Sequence, residues 1–359
     1  MARGRNPDGG QLDLFGAGAA APAGEAPEGA PRPAGRAPAG PGPGRPGEPV
    51  GPADAPEAAA LAARLPAGLR LGTSSWSFPG WAGLVYDRAA GEAELARDGL
   101  AAYARHPLLR AVGLDRTFYA PIGAAEYARY AGQVPEGFRF LVKAVQACTF
   151  PTVRAPAAGG GAAWKPNPRF LDAPFAAVAV VSPAAEGLGA RLGAILFQFP
   201  PLPRGRVGDP AALAARLGDF LRALPRGPAY AVEIRNRELL VPAWRDALAA
   251  AGAAHAYVVH PSMPPVLEQA RLLPVEAQPS LVVRWMLGHG RGYEEAKDLY
   301  APFDRLAAPD PEARRQIAWL ARRAAALGRG GVVVVNNKAE GSSPRSVLEL
   351  ARELAAQPA

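Results

Sequence analysis

The sequence predicts an α/β fold, namely a single (β/α)8 TIM-type barrel preceded by a disordered N-terminal tail. Three observations support this fold class. Short runs rich in β-branched and aromatic residues recur eight times, and most of the intervals between them carry helical patterns. Continuous apolar runs such as Val332–Val335 suit strands that are buried on both faces, as in a parallel sheet. The repeat occupies about 300 residues after an N-terminal segment of very different composition.

That N-terminal segment is composed almost entirely of Ala, Gly and Pro. All but nine of the residues in 17–60 are one of these three types. Such a composition offers too little apolar surface to offset the conformational entropy lost on folding. We therefore predict a disordered tail over residues 1–66 and a barrel domain over residues 67–359.

The eight β-rich runs are the candidate barrel strands. They are Arg70–Trp76, Ala111–Tyr119, Phe138–Val145, Gly193–Phe199, Ala229–Arg235, Ala254–His260, Ser280–Met286 and Gly331–Asn337. The helical patterns are Ala93–Arg105, Ala124–Gly132, Pro174–Arg191, Ala211–Ala223, Pro242–Ala251, Ala313–Leu327 and Ser343–Ala355. Three prolines after the sixth strand leave room for only a short helix near Val266–Arg271. A doubly wound open sheet is the alternative, but Gly72–Trp76 does not match the glycine-rich phosphate fingerprint.

The charge of the chain is compatible with a phosphate-bearing partner. Residues 1–60 carry a net charge of −2, so the whole-chain value of +8 leaves +10 for the remainder. A basic globular domain is typical of proteins that bind nucleic acid. A coding bias is the alternative explanation, because arginine heavily outnumbers the four lysines.

Several protein classes are not expected from this sequence. Cys148 is the single cysteine, so intramolecular disulfides and a cysteine-rich zinc site are excluded. No stretch approaches the roughly 18 uncharged apolar residues of a spanning helix, so we expect no membrane partner. The first ten residues contain no apolar signal region, and we expect a cytoplasmic protein.

Polar residues stand at the ends of nearly all the predicted strands. In barrels of this type the active site lies at the C-terminal ends of the strands. The strand-end residues are Ser74, Asp115, Lys143, Gln198, Glu233 with Arg235, His260, Arg284, and Asn336 with Asn337. A barrel without a site would be expected to end its strands in apolar and turn residues. The pattern therefore predicts a functional pocket.

The candidate catalytic residues are Glu233, Lys143, His260 and Asp115. Glu233 and Arg235, two positions apart on one strand, point to the same face. Glu233 would act as a general acid or base, and Arg235 would bind a carboxylate or phosphate. The alternative is a buried ion pair. Lys143 would bind a phosphate or act as a nucleophilic amine, or else be a partner of Glu233 or Asp115.

The remaining candidates are assigned to proton transfer and to substrate binding. His260 would be a proton shuttle. The substrate-binding candidates are Trp76, Tyr119, Gln198, Arg235, Arg284, Asn336 and Asn337. No cofactor is predicted, and too few histidines lie near the mouth for a multinuclear zinc site. A single divalent metal held by Asp115 and Glu233 is possible but has no direct support.

Six stretches of the chain resemble motifs of a known family. They are LGTSSWSFPGW, DRTFYAP, FRFLVKA, LGAILFQFPP, YAVEIRN and VVVVNNKAEGSSP. These are similar to successive motifs of the YecE-like family, domain of unknown function seventy-two, across residues 69–355. The resemblance implies a TIM-barrel-like fold and a pocket at the strand ends, with no assigned activity. One departure is Gly113, where the family pattern leads us to expect a carboxylate.

A second motif lies in the predicted tail. Gln11-Leu12-Asp13-Leu14-Phe15 resembles the pentapeptide that binds the bacterial sliding clamp. Three of the four large apolar side chains in residues 2–60 are in this motif, the fourth being Val50. Leu14 and Phe15 would enter a hydrophobic pocket while Gln11 hydrogen-bonds beside it. The alternatives are a chance match and a plug that packs on the barrel.

Two classes of function remain open from the sequence. One is an enzyme acting on a phosphate-bearing or nucleic-acid substrate, which the tail would recruit to replication or DNA repair sites. The other is a non-catalytic module that binds a small anionic metabolite or nucleotide. Convergence of Glu233 and Lys143 on open volume would favour the enzyme. Enclosure of Glu233 by Arg235 would favour the binding module.

Overall fold

The computed structural model describes residues 49–156, 162–202, 208–288, 290 and 292–356. The motif Gln11–Phe15 lies outside the described residues. The strands are β1 Leu69–Thr73, β2 Leu109–Leu114, β3 Arg139–Lys143, β4 Thr152–Pro156, β5 Ala162–Pro166, β6 Leu192–Gln198, β7 Tyr230–Glu233, β8 Ala254–Val259, β9 Leu281–Trp285 and β10 Gly331–Val335. Eight of them close a parallel barrel in the order β1-β10-β9-β8-β7-β6-β3-β2. The predicted (β/α)8 barrel is confirmed.

Helices surround this barrel and connect its strands. They are α1 Pro56–Ala62, α2 Glu92–Tyr103, α3 Ala124–Ala131, α4 Ala173–Ala176, α5 Ser182–Leu188, α6 Pro210–Ala223, α7 Pro242–Ala251, α8 Val266–Leu272, α9 Tyr293–Tyr300, α10 Pro311–Ala326 and α11 Ser343–Ala356. Aspartates cap three of the N-termini: Asp172, Asp209 and Asp310 each accept a hydrogen bond from a backbone N–H of the first turn.

Within the predicted barrel domain, residues 67–359, one hairpin and one helix were not predicted from the sequence. Strands β4 and β5 form an antiparallel hairpin between β3 and α4. Helix α9 follows β9, and the sequence analysis assigned no helix there. Short elements like these carry too few periods of a hydrophobic pattern to be recognised.

One helical segment is long and apolar. A π-helical segment, Ala177–Val181, joins α4 to α5, and the stretch Ala173–Arg191 spans 19 residues with a mean hydropathy of 1.3. By length and composition alone it could cross a membrane. In the barrel, α5 packs against α3 in the helical layer.

The barrel interior changes from apolar to polar along the strands. Its apolar layers consist mostly of small side chains: Ala111, Leu141, Ala194, Leu196, Ala231, Ala254, Ala256, Val282, Val332 and Val334. Because side chains alternate along a strand, the residue two positions after a lumen residue faces the lumen again. This places Lys143, Gln198, Glu233, Arg284 and Asn336 in the next layer, at the C-terminal mouth.

The boundary that we predicted for the tail is too far along the chain. Val50 is 3% exposed, and helix α1 buries Ala58 and Leu61. The Gly51 N–H donates to Asp87 Oδ1 at 3.0 Å. Residues 49–66 therefore pack on the barrel domain. A prediction from composition treats a segment as if it were isolated. A few apolar side chains are enough to order such a segment when they can be buried against a surface that is already folded.

We expect V50A to lower the free energy of unfolding by about 1–2 kcal/mol, because it removes two buried methyl groups. Val178 is the matched control, since its side chain is 76% exposed. V178A should change stability by less than about 0.5 kcal/mol. Urea unfolding of both variants measures the difference. Equal effects would mean that residue 50 does not pack on the fold in solution.

Candidate functional site

Six polar side chains meet at the C-terminal mouth of the barrel. We call this group the mouth cluster: Asp115, Lys143, Gln198, Glu233, Arg235 and Arg284. None of the six is more than 8% exposed. Each had been predicted as a site residue, and the structure brings all six together. Their positions on five different strands or strand ends explain how residues so distant in sequence come into contact.

Arg284 is the centre of the mouth cluster. Its Nη1 donates to Gln198 Oε1 at 2.8 Å and to Glu233 Oε2 at 2.7 Å. Its Nη2 donates to both oxygens of Asp115, at 3.1 and 3.2 Å. The guanidinium starts from β9 and reaches β6, β7 and the end of β2, so it crosses the lumen. It fixes the positions of three other polar side chains.

Glu233 is fully enclosed and ionised. Its side chain is 0% exposed, and its Oε1 accepts a hydrogen bond from Arg235 Nε at 2.5 Å. Burial alone would raise the pKa of Glu233, but the charges of Arg235 and Arg284 outweigh burial and lower the pKa to about 2. The geometry confirms the pairing with Arg235. It favours the ion-pair interpretation over general acid or base catalysis by Glu233.

Arg235 keeps hydrogen-bonding capacity after this pairing. Only its Nε hydrogen-bonds to a described residue, although the side chain is just 8% exposed. Its two terminal NH2 groups have no acceptor among the described residues. A guanidinium presents such groups in a planar fork that matches carboxylate and phosphate oxygens. Arg235 therefore has the donors for an anionic group at the mouth.

Lys143 is a buried amine with an altered titration. It is 2% exposed, and its Nζ lies 3.7 Å from the centroid of the Phe118 ring. Burial lowers the pKa of Lys143 to about 7, with Asp115 and Glu233 opposing the shift and Arg284 and Arg235 adding to it. A neutral amine is a nucleophile and a base, whereas an ammonium is neither. Lys143 thus has both forms near neutral pH.

The two aromatic candidates differ in exposure. Trp76 is 7% exposed; its Nε1 donates to the Leu95 carbonyl at 3.1 Å, and its ring contacts Tyr130 edge-on at 5.5 Å. This side chain packs in the core, which argues against the predicted stacking on a ligand. Tyr119 is 42% exposed and lies beside Phe118, so its predicted role stays open.

Asn336 and Asn337 build the turn that follows β10. Asn336 Nδ2 donates to Ser74 Oγ at 2.9 Å, and its Oδ1 accepts from the Lys338 N–H at 2.9 Å. Asn337 Oδ1 accepts from the N–H and the hydroxyl of Ser343, both at 2.8 Å. The second residue therefore organises the start of α11. Both amides predicted to bind substrate are thus held by the fold, although the buried Nδ2 of Asn337 has no hydrogen-bond partner among the described residues.

His260 directly follows β8, which ends at Val259. Its ring is partly buried, and Nδ1 lies 2.9 Å from Ser262 Oγ and accepts from the Ser262 N–H at 3.2 Å. This is a local turn. A role for His260 as a proton shuttle remains a prediction.

The carboxylates considered for a divalent metal are held by a guanidinium instead. Asp115 and Glu233 both bind Arg284. Within the described residues, no group of three or more His, Cys, Asp and Glu side chains is placed to hold a metal ion. The donor set therefore does not fit a metal between these two residues.

Lys338 is a second buried amine at this end of the barrel, and it was not predicted as a functional residue. It is 6% exposed, and its Nζ lies 4.1 Å from the ring centroid of Tyr293 and 5.7 Å from that of Phe303. Burial and the charge of Lys297 lower the pKa of Lys338 to about 8. Its place directly after Asn337 was the available signal. Its aromatic neighbours belong to α9 and the turn after it, which were not predicted.

The fold and the mouth cluster define a (β/α)8-barrel protein with a charged, largely buried site at the C-terminal ends of its strands. A family model described as "Protein of unknown function DUF72" matches residues 70–359, and the chain belongs to this family. The resemblance noted from the sequence motifs is thereby confirmed. No curated protein matches the chain significantly.

Solved structures of the same family share the fold. A DUF72 family protein from Enterococcus faecalis V583 is 18% identical with a TM-score of 0.53, covering 81% of this chain and 96% of its own. A DUF72 family protein from Thermotoga maritima MSB8 is 16% identical with a TM-score of 0.53, covering 80% of this chain and 99% of its own. At this identity the likeness concerns the fold alone.

Proposed function

We propose that the mouth cluster binds a phosphate- or carboxylate-bearing substrate and that the protein is an enzyme acting on it through Lys143, not through the enclosed Glu233. The observation that carries this proposal is the fork of Arg235, whose two terminal NH2 groups have no described acceptor although the side chain is largely buried. Neither terminal nitrogen is among the fully buried side-chain atoms that lack a partner in the described residues, so both are open to water or to a ligand at the mouth. An anion is the ligand that fits a guanidinium.

The charge balance of the mouth cluster supports an anionic substrate. Lys143, Arg235 and Arg284 are cationic when protonated, against the two carboxylates of Asp115 and Glu233. Arg284 is saturated by both carboxylates and by Gln198. With Lys143 protonated, the mouth cluster as a whole carries one net positive charge, which attracts an anion.

Lys143 supplies the chemistry in this proposal. A pKa near 7 leaves part of the amine neutral at physiological pH. The neutral amine can take up a proton from the substrate. Alternatively, its lone pair can add to a carbonyl carbon while the π electrons of the C=O bond move to the oxygen, which then takes up the proton that the nitrogen loses. Arg235 would hold the anionic end of the substrate while Lys143 reacts.

The test is an activity screen on damaged DNA, nucleotides and sugar phosphates, combined with binding measurements. We expect K143M to lose activity by at least about 100-fold and R235Q to weaken substrate binding by about 10-fold or more. Lys297 is the control lysine and Arg271 the control arginine, because both are exposed. K297M and R271Q should retain activity and binding. Equal losses in R235Q and R271Q would contradict a specific site.

A non-catalytic binding module is the second candidate. The enclosure of Glu233, with both of its oxygens bound to arginines, favours it. In this case the protein would hold a small anionic metabolite or nucleotide without turning it over. R235Q would then weaken ligand binding while no substrate in the screen is converted, even by the unmodified protein.

We also propose that Gln11–Phe15 recruits the protein to the bacterial sliding clamp in the cytoplasm. All five residues fit the clamp-binding pattern, and the segment that follows is rich in Ala, Gly and Pro. A coil of about 50 residues would span roughly 40 Å. That reach would let a tethered enzyme act on DNA near a replication or repair site.

A synthetic peptide spanning Asp8–Ala17 should bind purified sliding clamp with an affinity on the order of micromolar, because a short peptide must lose its own conformational freedom on binding. The double variant L14A/F15A should abolish binding, since it removes both apolar anchors. A peptide titration measures this. No binding by the natural peptide would refute recruitment. A lower melting temperature of the full-length double variant would show that the motif packs on the fold instead.

A further inference from the structure

The end of the barrel opposite to the mouth carries a cluster of arginines. Arg70, Arg110 and Arg139 stand at or next to the first residue of β1, β2 and β3, which are neighbours in the barrel. In the register of the sheet, Ala111 pairs with Arg139 and Gly72 pairs with Ala111. The three arginines therefore lie on one side of the N-terminal end of the barrel, which we call the lower rim.

A cavity of about 340 Å³ lies beside these arginines. Its walls include Arg70 and Arg110 together with the apolar side chains of Leu65, Pro66 and Leu108. No carboxylate lines it among the described residues. Its volume falls within the range of small-ligand sites, and it combines apolar walls with a few polar groups.

Among the described residues, no carboxylate forms an ion pair with Arg70, Arg110 or Arg139, so the three positive charges repel one another. Burial lowers the pKa of Arg70, and the charges of Arg139 and Arg110 lower it further. Arg139 Nη1 donates to the backbone carbonyl of Glu136 at 2.9 Å. An anion in the cavity would relieve this repulsion.

Hydrogen-bond donors remain available at the cavity. Arg70 uses Nε on the Gly137 carbonyl at 3.0 Å and Nη1 on the Leu69 carbonyl at 3.1 Å, which leaves Nη2. Arg110 makes no side-chain hydrogen bond or ion pair with a described residue, and its side chain is exposed. These two side chains can therefore donate to several oxygens of one phosphate group.

We propose that this lower-rim cavity is a second anion site, which binds the phosphate of a small organic phosphate whose apolar or aromatic part lies against Leu65, Pro66 and Leu108. The site is separate from the mouth cluster, so it does not depend on the function proposed there. Its ligand would be an effector bound at the end of the barrel opposite to the mouth.

The experiment is an isothermal titration of the full chain with adenosine monophosphate and with inorganic phosphate. Arg110 is exposed and lacks described partners, so R110E should fold normally and should weaken adenosine monophosphate binding by at least about 10-fold. Arg226 is the matched control: it is exposed, it precedes β7 on the far side of the same rim, and R226E should leave the affinity unchanged. Inorganic phosphate should bind more weakly than adenosine monophosphate, because it lacks the part that contacts the apolar wall.

Three outcomes would overturn the proposal. The unmodified protein could fail to bind either probe. R226E and R110E could weaken binding equally, which would indicate a diffuse basic surface. Binding could be lost in R235Q and retained in R110E, which would place the ligand at the mouth alone. Loss in R110E with full binding in R235Q supports the lower-rim site even if the proposed function of the mouth fails.

Discussion

Replacement of Arg284 by methionine should lower the free energy of unfolding by about 3–5 kcal/mol, which is the usual cost of removing one partner from a buried ion pair. R284M leaves Glu233 without one of its two guanidinium partners and leaves Asp115 without both of its hydrogen bonds from Nη2. Neither carboxylate can reach bulk water, because both are at least 92% buried. Urea unfolding followed by tryptophan fluorescence measures the loss.

An exposed ion pair provides the control for this result. Arg323 and Glu276 form a pair in which both side chains are more than 40% exposed. R323A should therefore cost less than about 1 kcal/mol. The double variant R284M/E233Q should be less destabilised than the sum of its two single variants, because it leaves one buried charge fewer. A loss below about 1 kcal/mol in R284M would show that water solvates the mouth cluster.

The pH dependence of stability should change strongly in K143M. The pKa of Lys143 is lowered from 10.5 to about 7 in the fold, mainly by burial. Between these two values the unfolded chain binds a proton that the folded chain does not. The free energy of unfolding therefore rises with pH between these two values, by up to about 1.4 kcal/mol per pH unit. At pH values below the folded pKa, Lys143 is protonated in both states and its effect on stability does not change with pH. K143M should remove this slope.

The measurement is urea unfolding of K143M and of the unmodified chain at pH 7, 8, 9 and 10. The stability difference between the two should shrink or reverse as pH rises, because the buried amine disfavours the folded state only where the unfolded chain would be protonated. K297M serves as the control, since Lys297 is 50% exposed. It should follow the unmodified chain at every pH. Parallel curves for K143M would show that Lys143 keeps its charge in the fold.

The fold could be predicted from the sequence because its signal is local and repeated. All eight barrel strands were predicted, although several end earlier than expected; β2 ends at Leu114, and Asp115–Phe118 form a 3-10 turn. The β4–β5 hairpin and α9 were not predicted, because each is short. The order of residues 49–66 was not predicted, because these residues are stabilised by contact with the barrel surface and not by their own composition.

The site was predictable in membership but not in arrangement. Strand-end position identified the six residues of the mouth cluster. It could not show that Arg284 binds Asp115, which is 169 residues away, or that the same guanidinium holds Glu233. Nor could it show that Trp76 and Asn337 are engaged in packing and capping. These contacts join residues that are far apart in the sequence, so no local sequence pattern predicts them.

The departure at Gly113 also has a physical basis in the fold. A Cβ at this position would lie 3.3 Å from Ser74 Cα and 3.4 Å from Ser74 O, so the backbones of β1 and β2 approach closely there. A side chain at this position would require Ser74 to shift by a few tenths of an ångström. The narrow space at Gly113 therefore agrees with the absence of a second acid beside Asp115.

The sharing of Arg284 among three partners constrains how this barrel can evolve. A substitution at any one partner leaves charge or polarity uncompensated at the others, so single changes inside the mouth cluster should be purged before they alter ligand preference. Ligand preference should instead diversify through exposed residues around the mouth. Examples are Tyr119, which follows β2 and is 42% exposed, and Trp164, which lies on β5 and is 52% exposed. Relatives with different ligands should then keep the same charged centre and differ around its perimeter.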